Sequence, residues 1–305
     1  MNNTFVSTAS AYRSGFVALA GRPNVGKSTL VNRVVGQKIS IVTRKPQTTR
    51  HRIHGIHTRP DGQIVFIDAP GIHQSGGRAI NREMNRAALA ALDEADLVLF
   101  VVDAERWTPE DQAVVERLRH HPHPVGLVVN KVDRIKPKQK LLPLLDSLSR
   151  KMDFAFVVPL SAQRGDNIDA LEREILAHLP TGEPLFPEEY VTDRSERFLV
   201  GELIREQLML HLHQEIPYAL TVEVESFKRS DKGVDIGAVI WVERDSQKGM
   251  VIGAQGQSLK RIGRAARLAI AENLGESVHL ELWVKVKENW TNNPGALEAF
   301  GYDGT

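Results

Sequence analysis

Along the first 180 residues, short apolar runs alternate with amphipathic stretches. The runs at 15–20, 64–67, 97–102, 125–129 and 154–159 read as strands. Each is followed by turn residues and a helical pattern, as a mixed, mostly parallel α/β sheet covered by helices requires. Thr108-Pro109-Glu110-Asp111 is one such start, with an N-cap, a proline in the first helical position and acids in the first turn. Residues 52–58 read as an edge strand, turned into the 64–67 strand by Arg59-Pro60-Asp61-Gly62. Three prolines and a glycine within residues 179–187 break the pattern and mark a domain boundary. Beyond it the order is helix (196–212), strand (219–227), strand (234–242), short helix (246–251), basic helix (259–274) and strand (279–287), an α+β unit. The division expected is an extension at 1–14, a first domain at 15–180, a linker at 181–190, a second domain at 191–290 and an irregular tail at 291–305.

Composition narrows the chemistry. The 305 residues include no cysteine, which excludes disulfides and thiolate chemistry. The longest apolar run, 97–102, is far short of the roughly 20 residues of a membrane span, and residues 1–14 lack signal-peptide character, so a cytoplasmic protein is expected. The net charge of +1 hides an asymmetry: residues 1–180 hold 25 Lys and Arg against 18 Asp and Glu, and residues 181–305 hold 14 against 20. Two stretches, 1–60 and 246–271, contain no acid at all, a pattern that raises the expectation of a polyanionic partner.

Gly21-Arg22-Pro23-Asn24-Val25-Gly26-Lys27-Ser28 fits G-x-x-x-x-G-K-[ST] between a strand and a helix. Its backbone N–H groups would cradle phosphates, Lys27 would bridge the terminal ones and the Ser28 hydroxyl would ligate Mg2+. Asn130-Lys131-Val132-Asp133 follows the 125–129 strand. A carboxylate at Asp133 can accept from both N1–H and the exocyclic amine of guanine, which selects GTP. Ser161-Ala162 after the next strand would offer a backbone amide to the guanine carbonyl. Asp68-Ala69-Pro70-Gly71 would hold Mg2+ through Asp68 and present the Gly71 N–H to the γ-phosphate. In Pro46-Gln47-Thr48-Thr49-Arg50, a loop that would respond to the nucleotide as switch I, Thr49 is favoured over Thr48 to complete the metal shell. The residue after D-x-x-G is apolar Ile72, which cannot polarise water, and His73 is a weak base candidate.

In the second half, Gly253-Ala254-Gln255-Gly256 opens a helix carrying Lys260, Arg261, Arg264 and Arg267. A lone G-x-x-G says little, but in this order of elements it matches a type II KH domain, whose loop approaches a single-stranded RNA backbone. Lys248, Ile252, Gly253, Ala254, Gln255, Gly256, Lys260, Arg261 and Arg264 are the expected RNA-binding residues.

The first-half motifs resemble the translation-factor-related branch of P-loop GTPases. With Glu215-Ile216-Pro217-Tyr218 and the segment 248–263, nearly the whole chain resembles the Era family of bacterial GTPases. That resemblance implies slow GTP hydrolysis with Mg2+, and a potassium ion held by Asn24 in the manner of an arginine finger, so that Lys27, Asn24 and Gly71 are the expected catalytic positions. It also implies a monomer that binds the 3′ end of small-subunit ribosomal RNA during assembly of the small ribosomal subunit, partly associated with the cytoplasmic face of the inner membrane. The chain departs from the family's usual pattern at Ala69, where threonine is common, and at Ala254-Gln255, where the loop usually carries a lysine. The competing reading is a signalling GTPase whose second domain binds a protein or a membrane. The histidine groups 51, 54, 57 and 120, 121, 123 lack a carboxylate arrangement for a metal and read as polar or RNA-facing positions. Trp241 and Trp283 read as sheet-packing residues.

Overall fold

The structure is a computed structural model that describes residues 11–71, 77–212 and 216–302. The first half contains β1 (Arg13–Ala20), α1 (Lys27–Val35), β2 (Ile53–Arg59), β3 (Gly62–Asp68), α2 (Ala79–Glu94), β4 (Leu97–Asp103), α3 (Pro109–Leu118), β5 (Val125–Asn130), α4 (Leu141–Ser149), β6 (Phe156–Pro159) and α5 (Ile168–His178). Its six strands run in the order β2-β3-β1-β4-β5-β6, parallel except for the edge pair β2 and β3. The unbroken apolar run of β4 is explained by burial on both faces. Leu97, Leu99 and Val101 join the core under α1 and α5, while Val98, Phe100 and Val102 join the core under α3 and α4.

The expected α3 start is realised as a capping box, in which Thr108 accepts from the Asp111 N–H and Asp111 accepts from the Thr108 N–H. Strand β1 starts at Arg13, inside the expected extension, and Arg13 pairs across to Thr181 of the expected linker. The linker is pinned to this domain: the Gln63 side chain, 0% exposed, accepts from the Leu185 and Phe186 N–H groups and donates to the Phe186 carbonyl.

The second half contains α6 (Glu196–His211), β7 (Leu220–Ser230), β8 (Gly233–Val242), α7 (Asp245–Ile252), α8 (Gln257–Leu274), β9 (Val278–Val286) and α9 (Pro294–Ala299). The sheet order is β7-β8-β9, with β8 antiparallel to β7 and parallel to β9. Alternate β8 residues Val234, Ile236, Ala238, Ile240 and Val242 face a core built with α6 and α8. Trp283 stands on the opposite face, 46% exposed.

The described part of the tail, to residue 302, is not irregular. A turn at Trp290–Asn292 leads into α9, capped by the Asn293 side chain. Trp290 is fully buried and donates to the Ala219 carbonyl, and the Tyr302 hydroxyl meets Thr221 Oγ1 at 3.1 Å. Trp290, Leu297 and Tyr302 close an apolar cluster with Ala79 and Ile80 at the start of α2. That helix has no side-chain cap of its own, and Asn292 Oδ1 accepts its Ala79 N–H at 3.2 Å. This docking was not legible because its partners lie more than 200 residues away in the chain.

Candidate functional site

Strand β1 lies between β3 and β4, where the chain reverses its order across the sheet, and its carboxyl end is where an open α/β sheet binds ligands. The turn that follows is tight. A Cβ at Gly21, which has φ +140, would sit 2.4 Å from the Val101 carbonyl oxygen, so only glycine fits. Gly26, at φ +106, begins α1 and leaves its first N–H groups free to meet an anion. The Lys27 ammonium folds back on the Gly21 and Arg22 carbonyls at 2.7 and 3.1 Å. Burial brings its pKa down to about 8, against the pull of the Asp68 charge. A Cβ at Gly71 would be 3.9 Å from Lys27 Nζ, so the D-A-P-G turn reaches the same point.

Ser28 Oγ lies 3.1 Å from Thr49 Oγ1. Thr48 is turned away, its hydroxyl 2.7 Å from both Thr43 Oγ1 and the Lys45 carbonyl, so Thr49 is the threonine that meets the P-loop. Asp68 is 0% exposed at the end of β3 and neither carboxylate oxygen closes a hydrogen bond. Burial raises its pKa, opposed by the Ser28 and Ser40 hydroxyls and the Lys27 charge. A buried carboxylate close to the Ser28 and Ser40 hydroxyls, with no hydrogen bond fully closed, is an oxygen donor set suited to a divalent cation.

The residues expected to read the base are tied to the phosphate loop. Asn130 donates to the Val25 carbonyl at 2.8 Å and accepts from the Ala162 N–H at 3.0 Å, holding three loops together. The Lys131 ammonium spans the Asn24 carbonyl and Asp103, at 2.6 and 2.7 Å. The Asp133 carboxyl is held below its ordinary pKa, first by a hydrogen bond from Ser161. The Ser161 N–H donates to the Asp166 carbonyl. A guanine carbonyl would therefore have to share the Ala162 N–H with Asn130. Val25 and Val132 are buried in the core, so only their backbones can serve the site, and Ala69 is buried beside it. Arg22 points away from the phosphates to Asp111, 3.0 Å off. Asn24, at φ +65, donates to the Arg44 carbonyl and joins the P-loop to the switch I segment. Ile72, His73 and Glu215 lie outside the described residues.

The second motif is built differently. Gly253 (φ +73) and Gly256 (φ +74) turn the chain between α7 and α8, and a Cβ at Gly253 would stand 2.6 Å from that of Ser258. Ala254 and Gln255 are exposed at the tip, and Ile252 packs its side chain against the core. Lys260, Arg261, Arg264 and Arg267 line the exposed side of α8, and with Lys248 they make no ion pair with any described residue.

The cations of the other acid-free stretch are mostly engaged within the protein. Nine of its ten cations, all but Arg44, bond to groups of the protein itself. Arg50, 3% exposed, donates to the Leu220 and Pro217 carbonyls of the second domain at 2.7 and 2.9 Å. Two histidines of the first group are used inward too: His51 stacks on Tyr302 with centroids 4.3 Å apart, and His54 meets Asp193 at 3.1 Å. No group that could hold a metal through histidine and carboxylate clusters occurs among the described residues.

Residues 16–131 match a family model described as 50S ribosome-binding GTPase, and residues 215–291 match the KH domain. GTPase Era of Histophilus somni is 53% identical over 289 residues, 94% of this chain and 96% of its own. The chain belongs to the Era family of GTPases. It is thus a GTP-hydrolysing enzyme with a KH domain. GTPase Era of Stenotrophomonas maltophilia is 51% identical, with 98% of this chain and all of its own covered. A solved Era in complex with MgGDPNP and nucleotides 1506–1542 of 16S ribosomal RNA superposes with a TM-score of 0.91 at 40% identity, covering 95% of this chain and 99% of its own. A variant of Aquifex aeolicus Era bound to GDP and tetrafluoroaluminate has a TM-score of 0.89 at 40% identity, covering the same shares of the two chains.

Proposed function

We propose that this GTPase is a molecular switch that binds the 3′-end region of small-subunit ribosomal RNA and assists small-subunit assembly and rRNA maturation. The observation that carries this reading is the pairing, in one chain, of a candidate phosphate site with a G-x-x-G loop flanked by cations that have no ionic partner among the described residues. A relative of the same fold carries a GTP analogue and that RNA segment.

In this reading the domains divide at the linker 181–190. The N–H groups of residues 21–28 and the Gly71 N–H hold the phosphates, and Lys27 neutralises charge on them. Asp133 reads the guanine edge, with Asn130 and Lys131 bracing it against the P-loop. Ser28, Thr49 and Asp68 would hold Mg2+, which when bound supplies positive charge to the phosphate oxygens. The Asn24 side chain and the Arg44 carbonyl would offer oxygens to a potassium ion, which supports faster turnover in potassium than in sodium; equal rates in the two salts would remove that role. Lys248, Lys260, Arg261 and Arg264 would contact RNA phosphates, the backbone of 253–256 would approach the sugar, and Ile252 would line the base groove. Among the described residues no helix is long and apolar enough to cross a membrane. Family resemblance supports a cytoplasmic location with a fraction held peripherally at the inner membrane.

The test is fluorescence anisotropy of a single-stranded oligonucleotide matching the 3′ end of small-subunit rRNA, with the protein loaded with a GTP analogue or with GDP. Binding that favours the analogue and is lost in Gly253→Asp is expected. No binding in either state, with GTP binding intact, would turn the search toward a protein or membrane partner for the second domain.

A further inference from the structure

Helix α6 of the second domain grips the switch I segment through a row of buried charges. Glu202, Arg205 and Glu206 are 7%, 1% and 2% exposed. Arg205 donates to both oxygens of Glu202, at 2.7 and 2.6 Å, and the same guanidinium donates to the Thr48 carbonyl. One turn on, Glu206 accepts from the Val42 N–H at 2.9 Å and pairs with Lys38. The Lys45 ammonium caps the end of the helix at the Met209 and Leu212 carbonyls. Burial alone would raise the Glu202 carboxyl, but the Arg205 charge brings it below its ordinary value, so the pair is ionised.

Burying ions costs folding free energy that an apolar pair of the same volume would not, so an ion pair here needs another reason. Its geometry supplies one. The Thr48 carbonyl that Arg205 holds belongs to the peptide leading into Thr49, whose hydroxyl faces Ser28. Thr48 itself is braced by Thr43 and by the carbonyl of Lys45, whose ammonium is in turn anchored on the end of α6. The second domain therefore fixes both ends of the segment that brings Thr49 to the P-loop.

We propose that Arg205, oriented by Glu202, is a positioning residue for the nucleotide site: it holds Thr49 where the triphosphate form needs it, so that the preference for GTP over GDP is set jointly by the two domains. This rests on the reading that Thr49 completes the metal shell. A diphosphate has no γ-phosphate to draw switch I inward, so its binding does not depend on Thr49 or on Arg205.

The test uses the full chain, with fluorescent GDP and a fluorescent non-hydrolysable GTP analogue in Mg2+. Arg205→Met is expected to weaken the analogue about tenfold and GDP by less than about twofold, the loss of one charge-assisted hydrogen bond appearing in only one state. The double variant Glu202→Met/Arg205→Met replaces the ion pair by apolar side chains and is expected to keep the fold intact. With an unchanged or raised Tm it should show the same selective loss; a wild-type ratio of the two affinities in that folded variant would overturn the proposal. A Thr49→Ala variant runs alongside. If it is silent, the metal reading and the proposal both fall; if it loses the analogue while the double variant does not, only the proposal falls.

Discussion

Two acid-free basic stretches look alike in the sequence and do opposite work in the folded chain. The first, residues 1–60, spends its cations on the protein: on phosphate-loop carbonyls at Lys27, on α6 at Lys38 and Lys45, and on the second domain's backbone at Arg50. The second, residues 246–271, leaves Lys260, Arg261, Arg264 and Arg267 on the exposed side of α8 with no ionic partner among the described residues. A charge run is a surface only when its spacing puts the charges on one side of an amphipathic element. In α8 the cations at 260, 261, 264 and 267 follow the helical period while Ile262, Ala266 and Ile270 take the buried side. The first run is interrupted by a phosphate loop and a switch, whose irregular backbone exposes carbonyls that need donors.

That contrast is easiest to break at Lys27, where Lys27→Ala should cost GTP affinity roughly a hundredfold or more by removing a buried cation from the phosphates, as measured by equilibrium titration. Arg50→Ala comes next. It strands two carbonyls between the domains and should lower stability by about 3 kcal/mol in chemical denaturation, with little dependence on salt. A value within experimental error of wild type would mean that the first run is not the internal tie described above.

Protons sharpen the comparison further. The Lys27 pKa falls from 10.5 to about 8 on folding, so between those values the unfolded chain holds a proton that the folded one has lost, and the stability of the nucleotide-free protein rises with pH through that window. Phosphates favour the charged form, so GTP binding above about pH 8 should take up a fraction of a proton that grows as pH rises toward 9, read by calorimetry in buffers of different ionisation enthalpy. Lys27→Arg should bind with no uptake, because its guanidinium is always charged. The smallest effects belong to the second run. Lys260→Ala and Arg264→Ala should each weaken oligonucleotide binding about threefold and reduce the salt slope by about 0.7, leaving Tm unchanged.

Legibility followed the same divide. The phosphate loop, Asp68, Asn130 and Asp133 stand out in the sequence because the chemistry proposed for them demands fixed residue types at short spacing; of the two threonines it is the Thr49 hydroxyl that faces Ser28, while that of Thr48 bonds within its own loop. The second domain's order of helices and strands was readable from period alone. The ties of Arg50, Glu202, Arg205 and Asn292 were not, since each partner lies far along the chain or is a backbone atom that carries no residue code. The bond of Glu202 to Arg205 is the exception in spacing, at i and i+3, but nothing in that spacing separates a buried pair from a solvated one.

The cap that Asn292 places on α2 has a consequence for the order in which the enzyme is made. Its partner, Ala79, precedes it by 213 residues. At about 5 to 20 residues per second, the ribosome delivers Asn292 about 10 to 40 s after Ala79 has been added to the growing chain. Through that interval the start of α2 lacks both its cap and the apolar cover of Trp290 and Tyr302. A nascent first domain therefore has all the residues of its candidate phosphate site but an unfinished α2, which is completed only once residues 290–302 have been added.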